Sequence, residues 1–380
     1  MLESKLPKVG TTIFQVMSQM ALDYQAINLS QGFPDFDCPE ELRRLVSHYM
    51  NIGKNQYPPM IGIPQLREQI TRKVKDLYDC TVDMDQDVTV VSGATEALFA
   101  AIHAVVRPGD EVIVFDPAYD SYDPAITLAG GKAVHLSLTA PDFQIDWQKV
   151  EDSLTEKTRL IFLNTPHNPT GNVLNSEDMK TLASLVKGTE ILILSDEVYE
   201  HIIFDGVRHE SILRHQALAS RAFVVSSFGK TYHATGWKVG YCIAPAALST
   251  EFRKIHQFLT FTTVPFLQYA LADFMEQCPE HHLNLSSFYQ AKRDLFCDLL
   301  KESRFKFKPA GGTYFQLLDY SEITNMEDTE YANLLTKESQ IASIPISVFY
   351  ETKPDDHILR FCFAKDDNTL EEAAEILRKI

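Results

Sequence analysis

An α/β architecture, with a mainly parallel seven-stranded sheet in a large domain and a smaller α+β domain beside it, is predicted by three features of this 380-residue chain. Seven short apolar, β-branched runs recur between residues 88 and 243. Most are separated by amphipathic stretches long enough for crossover helices, the pattern of a largely parallel, helix-covered sheet. After about residue 275 the texture changes to a long helical segment followed by alternating strands. The expected division is a large domain over 43–275, and a small domain with an N-terminal arm over 1–42 and 276–380.

In chain order, Ile13, Phe14, Met17, Met20 and Ala21 have helical spacing and predict an amphipathic helix over 12–24. The Gly- and Pro-punctuated stretch 27–36 reads as irregular loop. Pro39-Glu40-Glu41 opens a helix to about residue 52, and a second irregular stretch, 55–64, precedes a helix from Gln65 to about Tyr78. The seven runs follow at 88–91, 111–115, 133–136, 159–163, 191–194, 222–225 and 239–243, with Ser176 to Lys187 a typical crossover helix. A helix over 284–303, strands over 304–308 and 312–318, a helix near 329–338, strands over 341–348 and 358–363, and a helix from Thr369 complete the chain.

Composition removes several function classes. Lys and Arg number 35 against 52 Asp and Glu, a net charge of −17, which repels nucleic acid and anionic membranes. No run approaches the ~18 apolar residues of a membrane span, and the N-terminus is charged at Glu3, Lys5 and Lys8. Six scattered cysteines without a Cys-x-x-Cys pair predict reduced, buried thiols. A cytoplasmic protein is expected. No metal site is expected, and the adjacent His281 and His282 sit in a polar stretch that reads as surface.

Five polar, glycine-rich clusters each follow an apolar run, and in an open parallel sheet the strand carboxyl ends share the edge that holds ligands. Ser92-Gly93-Ala94-Thr95-Glu96 is a small-residue turn opening a helix, suited to a phosphate. Asp116-Pro117-Ala118-Tyr119 places an aromatic ring where it can stack on a planar ligand. Asn164 to Gly171 is a loop of turn-formers offering Asn168. Ser195-Asp196-Glu197-Val198-Tyr199 carries a carboxylate that needs a cationic partner if desolvated. Ser226-Ser227-Phe228-Gly229-Lys230-Thr231 delivers a lysine to a strand end. Any one of these is an ordinary turn on its own. Together they fit a planar, phosphorylated, carbonyl-bearing cofactor: pyridoxal 5′-phosphate, with Lys230 as its Schiff base and Asp196 keeping the pyridine nitrogen protonated. A P-loop ending at Lys230 would need glycine at position 224, where Val224 stands.

The segments 30–36, 168–171, 195–199, 227–231, 236–240 and Arg360-Phe361 resemble, in order, the class I/II aminotransferases of fold type I, and most nearly the methionine, kynurenine and glutamine transaminase K branch. That resemblance implies a PLP-dependent enzyme moving an amino group from a neutral amino acid (methionine, glutamine or aromatic) to a 2-oxo acid by a ping-pong mechanism, in a homodimer with shared active sites. A cysteine-conjugate carbon–sulfur β-lyase would use the same residues. By the resemblance, Gly93, Ala94, Thr95, Ser227 and Lys238 hold the phosphate, with Tyr57 contributed by a second subunit. Tyr119 stacks on the ring, Asn168 and Tyr199 reach its oxygen, and Arg360 grips the substrate carboxylate. Phe14, Gly32, Ile61 and Tyr119 line the side-chain pocket. No arginine lies between Arg253 and Arg293, where aspartate-specific relatives place a second carboxylate partner.

Overall fold

The structure is a computed structural model, and residues 3–380 are described. After a two-residue strand β1 (Ile27–Asn28), seven strands build the main sheet. They are β2 (Val88–Val91), β3 (Glu111–Asp116), β4 (Lys132–Ser137), β5 (Thr158–Asn164), β6 (Leu192–Asp196), β7 (Ala222–Ser227) and β8 (Gly240–Ile243). Their order is β2-β8-β7-β6-β5-β3-β4, so all seven expected runs fall in one sheet. Only β8 runs antiparallel to its neighbours. The carboxyl ends of β2, β3, β5, β6 and β7 therefore share one edge.

Alternation along the strands sorts the sheet's side chains into two apolar layers. Val90, Ile113, Ile161, Ile193 and Val224 pack on one face, and Val91, Val112, Leu160, Leu194, Phe223 and Val225 on the other. Helices cover both faces for sequence-legible reasons. Ser176–Leu185 starts on a capping box between Asn175 and Asp178 and buries Met179 and Leu182. A third apolar cluster joins Met17 and Leu29, near the N-terminus, to Phe296, Leu318, Leu359, Phe361 and Leu377. It surrounds an antiparallel sheet of β9 (Phe315–Asp319), β11 (Ile344–Pro345) and β12 (Ile358–Cys362), while β1 pairs in parallel with β10 (Ile341–Ala342).

Three sequence expectations are corrected. The stretch 27–36 is not wholly irregular, because Ile27 and Asn28 form β1. Residues 304–308 form no strand; Lys306 makes a single antiparallel bridge to Asp319 before Pro309, which has no N–H to extend the ladder. The expected strand 341–348 is two short strands followed by a 3₁₀ turn over Ile346–Phe349. There the Ser347 N–H and hydroxyl both donate to Asp328. All six cysteines are free thiols, four of them buried.

Candidate active site

A cavity of about 740 Å³, counting its open mouth, lies at the shared strand edge. Its wall contains Gly93, Ala94, Thr95, Tyr119, Asn168, Asp196, Tyr199, Ser227, Lys230 and Lys238, ten of the residues singled out in the sequence. Strand register explains the convergence: Asn164 stands opposite Asp196, and Asp196 opposite Val225, two residues before Ser227.

One end of the cavity is an anion cradle. The helix Ala94–Val105 begins at Gly93, whose φ of +85° favours glycine, and while the Glu96 N–H turns back to Gly93 O, the Ala94 and Thr95 N–H groups before it have no intrahelical partner. A Cβ on Gly93 would lie 3.1 Å from Lys238 Cε and 3.3 Å from its Nζ, so glycine is what leaves room for the ammonium. Lys238 is itself in the left-handed region, φ +53°. Gly240 lets β8 pass the turn, since a Cβ there would lie 2.6 Å from Ser226 O. Ser227 caps the short helix Phe228–Thr231, its hydroxyl accepting from Gly229 N at 3.2 Å.

Toward the other end sit a base and an acid. Burial pulls the Lys230 amine down to about 8, with the cations Arg360 and Lys238 adding to the effect. Its Nζ donates to Tyr314 Oη (2.8 Å) and to the Gly32 carbonyl (3.1 Å). Asp196, 5% exposed, is pushed up to about 6 by burial, against the opposing pull of hydrogen bonds from Tyr122 Oη at 2.7 Å and Val198 N at 3.3 Å. Burial likewise raises the Tyr199 phenol far above its ordinary range and Tyr119 to about 12. Both are neutral hydrogen-bonding groups at neutral pH.

Arg360, 1% exposed, closes the site from the small sheet. Its two terminal nitrogens donate to Asn168 Oδ1 and Ser30 O, each at 2.8 Å, while its buried Nε has no partner. The guanidinium lies 3.9 Å from the Phe315 ring centroid and 5.3 Å from that of Phe14. Phe14 also packs against Tyr119 at 6.2 Å and Phe349 at 5.7 Å. A Cβ on Gly32 would strike the Phe315 ring at 2.8 Å. Phe14, Gly32 and Arg360 stand behind the cavity wall and touch it through Tyr119, Lys230 and Asn168, whereas Tyr57 and Ile61 lie away from it: Tyr57 is 84% exposed beside Phe261, and the Ile61 carbonyl accepts from Val90 N.

Behind the site lies a polar network that sequence reading missed. The Glu200 carboxylate accepts from Lys73 Nζ (2.6 Å), Tyr241 Oη (2.9 Å), Ser226 Oγ and Tyr78 Oη. Burial works against its ionisation, but Lys73 and His201 hold it well below the usual carboxylate range. Tyr122, Asn164, Ser30 and Tyr314 were also missed. The glycine pair Gly311-Gly312 before Tyr314 was an available signal of close backbone approach. The surface reading of His281 and His282 is overturned as well: His281 Nε2 contacts the Thr231 carbonyl at 3.1 Å, its ring packs on Tyr232, and His282 packs on His201.

A parallel sheet edge carrying a lysine, a buried carboxylate and a helix-terminus anion cradle, closed by a second lobe, defines a fold type I transferase. A family model described as aminotransferase class I and II matches residues 24–377. The chain is 52% identical over 378 residues to a methionine aminotransferase of Escherichia coli, covering 100% of this chain and 98% of that one. It is 32% identical to human kynurenine–oxoglutarate transaminase 3, across 98% and 89% of the two chains. A crystal structure from Escherichia coli, whose reactivity identified a methionine aminotransferase function, superposes with a TM-score of 0.98 at 52% identity over the whole of both chains. This chain belongs to the class I and II aminotransferases, a pyridoxal-phosphate-dependent family.

Proposed function

We propose that the chain binds pyridoxal 5′-phosphate through Lys230 and transfers the amino group of a neutral α-amino acid, methionine foremost, to a 2-oxo acid by a ping-pong mechanism. The carrying observation is that the Lys230 amine, the Asp196 carboxylate and the Gly93–Lys238 cradle line one cavity, with the unpaired Arg360 Nε buried nearby.

The residues fit the cofactor chemically. The cradle formed by Gly93, Ala94, Thr95, Ser227 and Lys238 suits a phosphate dianion. Tyr119 offers a ring face, Asn168 and Tyr199 offer hydrogen bonds to a ring oxygen, and Asp196 holds a proton on a ring nitrogen. Bound there, the cofactor supplies an electron-accepting ring conjugated to the substrate nitrogen. Lys230, first the attachment point, then moves the proton from the substrate Cα, a task suited to an amine with a pKa of about 8. Arg360 orients the α-carboxylate, and Phe14 and Gly32 shape the space for the side chain.

Neutral side chains are favoured because the arginines flanking the gap are engaged elsewhere. Arg253 donates to Thr89, Asp85 O and Val88 O, and Arg293 forks onto Asp205 at 2.6 and 2.7 Å. Family membership alone leaves the side chain open, since an aspartate aminotransferase of Pyrococcus abyssi is also 32% identical.

A homodimer completes the site. Tyr57 (84% exposed) and Phe258 (87%), with Leu259, Phe261 and Val264, leave apolar surface uncovered; in a dimer, Tyr57 and Ile61 would reach the partner's cavity. The division at residues 43 and 275 into two domains rests on the apolar cluster that joins the N-terminal arm to the C-terminal third, a cluster that also takes in Val198, Tyr199, Ile202 and Phe204 of the larger unit. Among the described residues no helix is long and apolar enough to cross a membrane, in keeping with a cytoplasmic enzyme.

Borohydride reduction followed by peptide mapping is expected to find the cofactor on Lys230, and label on another residue overturns the assignment. Methionine, glutamine and phenylalanine, each offered with a 2-oxo acid, are expected to yield the exchanged pair. Pyruvate and thiol released from cysteine conjugates, with no amino transfer, would make the protein a β-lyase instead.

A further inference from the structure

We infer that Tyr314, together with the Gly32 carbonyl, is a dock that holds the released Lys230 amine with its lone pair aimed into the cavity, making Tyr314 a positioning residue for the Cα proton transfer. The inference rests on the proposed role of Lys230.

Three atoms form a closed triangle. The Tyr314 hydroxyl donates to the Gly32 carbonyl, and Lys230 Nζ donates to both oxygens, at 2.8 and 3.1 Å. Counting donors and acceptors gives the orientation of the neutral amine in this arrangement. Gly32 O uses both lone pairs, one on each donor. Tyr314 spends its proton on Gly32 and so can only accept from the amine. A neutral amine has two N–H bonds, and both are used. Its third direction carries the lone pair, the orbital that takes a proton. An ammonium would bring a third N–H, and among the described residues no carboxylate lies within salt-bridge distance of Nζ to receive it. Burial, not the dock, favours the base form; the two acceptors set the direction in which that amine points.

The rings around the dock fix it. Tyr314 is fully buried and meets Tyr199 edge-on at 5.1 Å and Tyr289 at 5.6 Å, and Tyr289 in turn hydrogen-bonds His233 at 3.0 Å. On the opposite side, Gly32 is held against Phe315, where a Cβ would not fit. The hydroxyl and the carbonyl come from segments 282 residues apart, β9's approach and the loop after β1. The dock thus exists only when the N-terminal loop and the small sheet are both seated on the cavity.

The test compares the wild type with Tyr314→Phe, which keeps the ring and removes the hydroxyl. Both proteins are first reduced with borohydride: cofactor absent from Lys230 in the wild type would overturn the cofactor reading itself, while cofactor present in both leaves the dock as the question. The half-reaction with methionine is expected to slow by about 10- to 100-fold, the range for a misplaced acid–base group, with KM changed less than about threefold. The kinetic isotope effect with Cα-deuterated methionine is expected to rise. A readout independent of turnover uses enzyme loaded with pyridoxamine 5′-phosphate, in which Lys230 carries a free amine. Acetic anhydride labelling with peptide mapping across pH should give a wild-type midpoint below the ordinary lysine value, the direction in which burial moves this amine. The variant's midpoint should fall by about half a unit to one unit, because the lost acceptor served the ammonium more strongly than the amine. A lowered melting temperature with unchanged isotope effect and labelling midpoint would reduce Tyr314 to a packing residue and overturn the inference. Should the variant fail to fold, a wild-type midpoint near the ordinary lysine value would overturn it alone.

Discussion

Replacing Arg360 with lysine isolates the geometry of the proposed carboxylate grip from its charge. In the free enzyme the guanidinium spends one nitrogen on Asn168 Oδ1 and one on Ser30 O, both at 2.8 Å, and lies 3.9 Å from the Phe315 ring centroid. A lysine ammonium is a point donor that cannot present a planar fork, so it serves the substrate carboxylate with one hydrogen bond where arginine offers two. A hydrogen bond to a charged group contributes about 1.5 to 3 kcal/mol. Losing one predicts a fall in kcat/KM of about 10- to 150-fold. The carboxylate is common to every α-amino acid, so the fall should be the same, within about threefold, for methionine, glutamine and phenylalanine, and should also appear for the 2-oxo acid. Stability should drop separately, by about 1 to 3 kcal/mol, because Asn168 or Ser30 loses its partner in a buried place. The assay is stopped-flow kinetics of each half-reaction, with urea unfolding alongside. A loss confined to one side chain would refute the carboxylate role.

Further predictions follow from the same geometry. Gly93→Ala forces a Cβ toward Lys238 at 3.1 to 3.3 Å with the backbone at φ +85°; pyridoxal phosphate affinity should fall at least ~10-fold by equilibrium dialysis, strain of about 1 to 3 kcal/mol being typical there, and unchanged affinity would refute the cradle. Tyr122→Phe removes the O–H that steadies the ionised Asp196, whose carboxyl already stands at about 6; the acid limb of the kcat/KM profile should move to higher pH, and an unmoved limb counts against Asp196 as the essential carboxylate. Burial holds His167 and His282 at about 4 and His233 at about 3, below the ordinary 6.5. Their contribution is complete above about 6.5, and stability should decline as pH falls from there toward 3 to 4, since the unfolded chain takes up protons first. Urea midpoints that stay flat from pH 7.5 to 5 would contradict this.

What the sequence made legible has a common cause. Seven strands and five edge clusters could be read because each is local: a β-branched run followed directly by turn-formers marks the carboxyl end of a strand, and parallel pairing brings those ends together. Lys230, Asp196 and Asn168 needed no further information. Tyr314, Tyr122 and the Lys73–Glu200 pair were missed because their meaning lies in partners far along the chain, with separations of 84, 74 and 127 residues. His281 and His282 misled for the reverse reason. Their neighbours in sequence are polar, whereas their neighbours in space are Thr231, Tyr232 and His201. The strands 304–308 and 341–348 failed where Pro309 and Pro345 deprive the ladder of an N–H.

The missed network bears on why the site holds its shape. Asp196, Lys230 and Lys238 hang from β6, β7 and the approach to β8, three adjacent strands, and each must keep its spacing from the others to about an ångström for proton transfer to work. Hydrogen bonds between strands set the spacing along the sheet, but Asp196 sits on the last ladder pairs of β6 and Lys230 and Lys238 lie beyond the ends of β7 and β8, where turns are free to shift. Glu200 follows β6, Ser226 belongs to β7 and Tyr241 to β8, and a single carboxylate accepts from both partners while Lys73 neutralises it. An ion pair buried this way adds little net stability over an apolar replacement, whereas removing one member leaves an uncompensated charge. Its physical consequence is therefore registry more than stability. The three strand ends cannot drift apart without exposing a buried carboxylate, so Asp196, Lys230 and Lys238 above them keep a common frame of reference.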